Sequence, residues 1–214
     1  MSFNPEIKDD ELYFSIIDQV VKVRPVNIIE IGSANGLGST QAFIEGRKRA
    51  NIEEDCKIYC YEIDKERYGE LCENLRLVDN VMCFNGSFTD ERMADAEVVE
   101  FLTKHSGMNP SQYGVEAVMS WKYDIDKKME ENSETFVPLL KHPTLALVDG
   151  SPFSGLQETK ILAGRGTDVI ILDDIVDIKN FDSFGYLKAN GYELIGENTR
   201  LRNGYAIFRK RVDA

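Results

Sequence analysis

Three carboxylates and one glycine-rich loop hold the chemical possibilities of this chain. Asp149 closes the apolar run in LVDG, and Asp173 and Asp174 close the run in IILDD. If these runs are adjacent parallel strands, their carboxyl ends meet at one edge of a sheet and gather three acids. Carboxylates so placed repel one another unless a proton or a cation neutralises them. Oxygen donors of this kind suit Mg²⁺ or Mn²⁺, which keep water or substrate oxygens in their remaining positions. Asp149, Asp173 and Asp174 are therefore candidate metal ligands. The competing reading is structural, because acids at strand ends also cap helices.

The second stretch is residues 27–40, NIIEIGSANGLGST. Its apolar, β-branched start reads as a buried strand, its glycines as a turn, and the residues from Ser39 onward as a helix. A dinucleotide site wants G-x-G-x-x-G; counted from Gly32, this chain has Ala34 and Leu37 in place of the second and third glycines. What stands there is E-x-G-x-x-x-G-x-G, from Glu30 through Gly32 and Gly36 to Gly38. That pattern resembles motif I of the class I S-adenosylmethionine (SAM) methyltransferases. In that family the loop wraps the methionine part of the cofactor, and the acid anchors the loop and the cofactor's ammonium group. The resemblance implies SAM contacts at Glu30, Gly32, Ser33, Gly36 and Gly38. Ser39 and Thr40 open the predicted helix, where hydroxyls and N–H groups can meet the cofactor carboxylate.

The same resemblance extends to the next strand ends. Glu62 closes YE, where a carboxylate can accept both ribose hydroxyls, with Ile63 beside it and Asp64 as the competing acid. Asn85, Gly86 and Ser87 close the third strand, where the adenine ring is normally contacted. From EIGSANGLGST through LVDGSPFSG to IILDD, most of the chain resembles the macrocin O-methyltransferase-like, metal-dependent branch. There an Asp after strand four and an Asp-Asp pair after strand five hold the metal, which holds and acidifies a substrate hydroxyl. One departure concerns the catalytic base, which that branch often carries two positions after its strand-four Asp. Here that position is Ser151, followed by Pro152, as in relatives associated with polysaccharide and glycan loci. The catalytic candidates are Asp149, Ser151 and Lys160, with Glu158 as the alternative base. Trp121, Tyr123 and Asp124 fall in a stretch that commonly lids the acceptor pocket, and an aromatic pair beside an acid suits stacking on a sugar.

The elements that must position these residues read as one α/β domain of 214 residues. Apolar periodicity predicts a helix over 9–22, then strands over 57–61, 80–84, 144–148 and 168–174, with helices over 39–49, 65–78, 156–162 and 181–188. Two last apolar stretches, 192–195 and 205–208, flank GENTRLRNG and predict a hairpin. The expected fold is thus a doubly wound, mostly parallel seven-stranded sheet, Rossmann-like, with an antiparallel C-terminal hairpin. Between 89 and 134 the periodicity weakens; helices are plausible over 91–104 and 125–133, and an irregular insertion is expected around 105–135. The net charge of −12 disfavours nucleic acid and anionic membranes as partners. The Arg200, Arg202, Arg209, Lys210 and Arg211 cluster is expected to be a solvated edge. With no apolar run of about 18 residues, no leader-like N-terminus and no Cys-x-x-Cys, a reduced cytoplasmic protein is expected.

These readings converge on a SAM-dependent methyltransferase acting on a hydroxyl of a small molecule, with a saccharide as one acceptor class, Mg²⁺ or Mn²⁺ as a second cofactor, and a homodimer left open. The competing expectations are a noncatalytic SAM- or nucleotide-binding domain partnering a glycan-processing enzyme, and a nicotinamide-dependent oxidoreductase, which the glycine spacing disfavours.

Overall fold

The computed structural model describes residues 7–108, 110–132, 138–139 and 141–211. Helix α1 (Glu11–Val23) leads into β1 (Asn27–Ile31), α2 (Ser39–Ala50), β2 (Lys57–Glu62), α3 (Lys65–Leu75) and β3 (Val81–Asn85). Then come α4 (Asp95–Lys104), a 3-10 turn (Ser111–Tyr113), α5 (Val115–Glu131), β4 (Thr144–Val148) and α6 (Gly155–Gly164). The remaining elements are β5 (Val169–Asp173), α7 (Phe181–Ala189), β6 (Tyr192–Asn198) and β7 (Tyr205–Lys210).

The strands form one sheet in the order β3-β2-β1-β4-β5-β7-β6. The first five run parallel, and β7 enters antiparallel between β5 and β6. The doubly wound sheet with its C-terminal hairpin is therefore present as expected. Strand order reverses beside β1, which lies between β2 and β4. Chains leaving the carboxyl ends of β1 and β4 turn to opposite faces there and open a crevice.

Alternation along the strands feeds two cores. Ile28, Ile58, Leu145, Leu147 and Ile171 pack on one face with Leu12, Ile16 and Val20 of α1 and Phe43 of α2. Ile29, Ile31, Ala146, Val148, Ile170 and Leu172 pack on the other with Leu162 of α6 and Leu187 of α7. Glu30 shares parity with Ile28, so its carboxylate points toward α2, where an apolar residue would be expected. Helix α1 starts at Asp10, whose side chain accepts the Tyr13 N–H at 2.8 Å.

The expected irregular insertion is largely one helix. α5 spans 17 residues, where helix was expected only over 125–133, and residues 133–135 lie outside the described residues. The stripe it buries is Val118, Lys122, Ile125 and Met129, at i, i+4, i+7 and i+11. A lysine in the second place hides the helical period from a hydrophobicity reading. Its ammonium is held by Asp126 at 2.6 Å and Asp95 at 2.9 Å, so the buried charge has partners. Val118, Ile125 and Met129 meet Val98, Phe101 and Leu102 of α4, with Phe153 and Ile178, in a third small core beside the crevice.

Candidate active site

The crevice is a cleft of about 560 Å³ at the carboxyl ends of the parallel strands. One side is built by the loop after β1. Gly32 has φ +88°, and a Cβ there would lie 2.2 Å from the Asp149 carbonyl oxygen, so the turn requires glycine. The Gly32 and Ser33 N–H groups both donate to the Tyr61 carbonyl, at 3.0 and 2.9 Å, tying the loop to β2. Gly36, also at positive φ, lies against Leu71 and Leu75 of α3 and does not line the cleft; its role is packing.

Glu30 is fully buried and accepts the Ser39 and Thr40 hydroxyls at 2.6 and 2.7 Å. Burial raises its pKa, and these hydrogen bonds offset part of that rise. The carboxylate thus pins the loop to the start of α2 rather than facing the cleft. The same bonds commit the Ser39 and Thr40 hydroxyls to Glu30. Ser33, Gly38 and Ser39 do line the cleft, together with Ala34.

Glu62 reaches the cleft from the end of β2, 6% exposed, with Oε1 accepting the Asp64 N–H at 2.7 Å. Burial raises its pKa. Asp64, its competitor in sequence, is occupied otherwise. It caps α3 by accepting the Glu66 and Arg67 N–H groups at 3.1 Å, and it pairs with Lys128 of α5 at 2.6 Å. Ile63, Gly86 and Ser87 line the cleft next to Glu62. Asn85 does not; its amide donates to the Glu62 carbonyl at 2.9 Å.

The opposite side carries the acids. Asp149, Asp173 and Asp174 come together as the strand order requires, with carboxylate oxygens within 4.8 Å of one another. Two cations of the chain already sit among them. The Lys179 ammonium lies 2.7 Å from Asp149 Oδ1 and 2.5 Å from Asp174 Oδ2. Arg202 donates to Asp173 Oδ1 at 3.1 Å and also pairs with Asp10. Burial disfavours the charge on Lys179, yet Asp149, Asp174 and Asp173 outweigh it and hold the ammonium protonated well above its usual range. With three acids facing two cations the cluster keeps a negative charge in low dielectric. Burial, then the neighbouring acids, raise Asp149 strongly and Asp173 to about 6, against the lowering by Lys179. A divalent ion bound by these oxygens would need the place of Lys179. The donors suit a cation, but the arrangement does not fit a divalent one while that side chain stays.

Of the proposed catalytic residues, Asp149 and Ser151 line the cleft and Lys160 does not. Ser151 Oγ accepts the Phe153 N–H at 3.1 Å, a turn contact. Lys160 is exposed on α6, two residues and about 200° round from Glu158, which points inward. Glu158 lines the cleft, and one of its oxygens accepts the Ser154 hydroxyl at 2.8 Å while the other is buried without a hydrogen-bond partner among the described residues. Burial pushes its carboxyl up to about 7, against the smaller lowering by Ser154. Trp121 stands at the cleft, 44% exposed, edge-on to Phe153. It does not pair with Tyr123, whose hydroxyl turns to Asp95 at 3.1 Å, because residues two apart on a helix face different ways. Asp124 is exposed.

Lys179 and Arg202 were not found from sequence. Lys179 sits in DIVDIKN, a loop without periodicity, and Arg202 in the group expected to be a solvated edge. The signal that could have found them is an unmatched requirement: three buried acids need counter-charge, and loops after β5 and β6 are near enough to supply it.

No protein-family model matches this chain, and no curated protein sequence matches it significantly. Solved structures do. The SAH-bound methyltransferase PaMTH1 from Podospora anserina aligns over 97% of this chain and 81% of its own, with 12% identity and a TM-score of 0.59. The O-methyltransferase from Bacillus cereus in complex with SAH covers 96% and 83%, at 12% identity and a TM-score of 0.60. The precorrin-6y C5,15-methyltransferase from Geobacter metallireducens covers 99% and 94%, at 14% identity and a TM-score of 0.57. At such identities the likeness is one of fold: this chain has the Rossmann-like methyltransferase architecture.

Proposed function

We propose that this chain transfers the methyl group of SAM to a hydroxyl oxygen of a small molecule, with a saccharide as the favoured acceptor class. One observation carries the reading. A single cleft joins the glycine loop, Glu62 and the Gly86–Ser87 turn on one side to Asp149, Asp174, Lys179 and Glu158 on the other. The first set can wrap methionine, ribose and adenine in that order; the second faces the place where a methyl acceptor would lie. The SAH carried by two of the fold's neighbours is consistent with it. Trp121 at the cleft offers a sugar ring an exposed aromatic face.

Methyl transfer is a direct displacement. The S–CH₃ bond breaks as the O–CH₃ bond forms, the sulfonium becomes the neutral thioether of S-adenosylhomocysteine (SAH), and the hydroxyl proton passes to a base. The protein's task is alignment and proton removal. Glu158, with one unpartnered oxygen in the cleft wall, is the base this reading favours. The acids that would hold a divalent ion are those Lys179 and Arg202 already pair, so no step is routed through a metal.

The test is calorimetric. SAH should bind in the micromolar range, about −8 kcal/mol, and NAD should not bind. Glu62→Ala should weaken SAH by about 1.5–3 kcal/mol, the range for hydrogen bonds to a charged group. Asp64→Ala should instead cost about 1 kcal/mol of stability through its lost helix cap and leave SAH affinity nearly unchanged. Equal losses from both variants, or tight NAD binding, would overturn the assignment.

A further inference from the structure

Lys179 is not a surface side chain that happened to fold inward. Its backbone is fixed on both sides. The Asn180 amide donates to the carbonyls of Val148 at 2.9 Å and Asp173 at 2.7 Å, joining the ends of β4 and β5. The Lys179 N–H donates to Asp177 Oδ1 at 3.3 Å, and Ile178 is buried in the third core. Asp174, at φ +57°, makes the turn that starts this loop. The side chain so anchored is only 14% exposed and lines the cleft. An ammonium at 2.5–2.7 Å from two carboxylate oxygens excludes a Mg²⁺ ion about 2.1 Å from the same atoms. The ammonium donates to Asp149 and is ion-paired with Asp174, and with three N–H donors it keeps capacity for an oxygen in the cleft.

We propose that Lys179 is the resident cation of this acidic cluster, standing where a divalent ion would otherwise be held and offering its remaining N–H to the acceptor oxygen. The chain then works without a divalent metal, and Lys179 is a positioning residue for the acceptor. That last role rests on the methyl-transfer reading; the cation assignment does not.

The experiment titrates Mn²⁺ and, separately, SAH into the full chain, followed by calorimetry and by the Mn²⁺ electron paramagnetic resonance signal. Wild type should show no saturable Mn²⁺ binding below about 1 mM. Lys179→Met should gain one Mn²⁺ site at least about tenfold tighter than anything in wild type, a gain that a merely structural lysine would not produce. The double variant Lys179→Met/Asp174→Asn should lose that site again, and SAH affinity should stay within about twofold throughout. Saturable submillimolar Mn²⁺ binding to wild type overturns the proposal, and this arm needs no variant to fold. Mn²⁺ affinity unchanged in Lys179→Met, or in the more conservative Lys179→Gln, overturns it too. Absent SAH binding with the Mn²⁺ pattern intact would remove the methyl-transfer reading and leave the cation assignment supported.

Discussion

At the scale of single residues, the strand-end acids were legible and their neighbours were not. Glu62, Asp149, Asp173 and Asp174 each end an apolar run, and parallel strands must bring such ends to one edge. Lys160 was placed near the chemistry because it follows the β4 loop, but helical rotation carries it outward and brings Glu158 in. That burial has a measurable consequence. Glu158 titrates near 7 when folded against 4.5 for an ordinary glutamate. The folded state therefore binds this proton more tightly than the unfolded chain. The group's stabilising effect is complete below pH 4.5, is lost as pH rises toward 7, and is flat above. Glu158→Gln, which keeps an acceptor for Ser154, should gain on wild type across that window by about 2–3 kcal/mol at most, read from denaturant unfolding between pH 5 and 8. Parallel stability profiles would show that Glu158 stays ionised.

At the scale of elements, the β1–α2 loop was the clearest feature in the sequence, and its mechanics differ from the expectation in one respect. Its glycines do not share one duty: Gly32 passes the Asp149 backbone, Gly36 receives α3, and Gly38 borders the cleft. Gly32→Ala combines a left-handed backbone with a steric overlap, so it should cost about 2–4 kcal/mol of stability. Gly191→Ala is the control. Its φ is +83° with no heavy atom within 4 Å of an added Cβ, so it should cost only about 1 kcal/mol. If the two variants melt alike, the close approach at Gly32 is not what fixes the turn. Helix α5 was the least legible element, since its buried stripe includes Lys122 and its exposed side mixes charged residues with Val115, Trp121 and Tyr123. It is also tied to the end of β2: Lys128 holds Asp64, and the Asn132 amide donates to the Ile63 carbonyl at 2.6 Å.

At the scale of the whole molecule, the doubly wound order was readable because alternating strands and helices admit few other solutions. The counter-charge of the acid cluster was not, since it comes from two irregular loops, Lys179 after β5 and Arg202 between β6 and β7. Arg202 stands between Asp173 on β5 and Asp10 at the start of α1. Arg202→Met would leave Asp173, 2% exposed, without its cation, and should destabilise the fold by about 3–5 kcal/mol while SAH affinity remains. Unfolding free energies and SAH calorimetry on that variant check both halves; a parallel loss of SAH binding would mean the two sides of the cleft are not separable.

The Arg202–Asp10 contact joins residues 192 positions apart. Contacts of that span close late, because most of the intervening chain must first be in place. The glycine loop, by contrast, is completed by Glu30, Ser39 and Thr40, ten residues apart at most. A refolding molecule should therefore pass through a time order in its competence. The glycine loop consolidates early from near neighbours, and the acid cluster acquires its full set of counter-ions only when the hairpin docks. A chain caught between those two moments would have its glycine loop formed beside an acid cluster still short of its counter-charge.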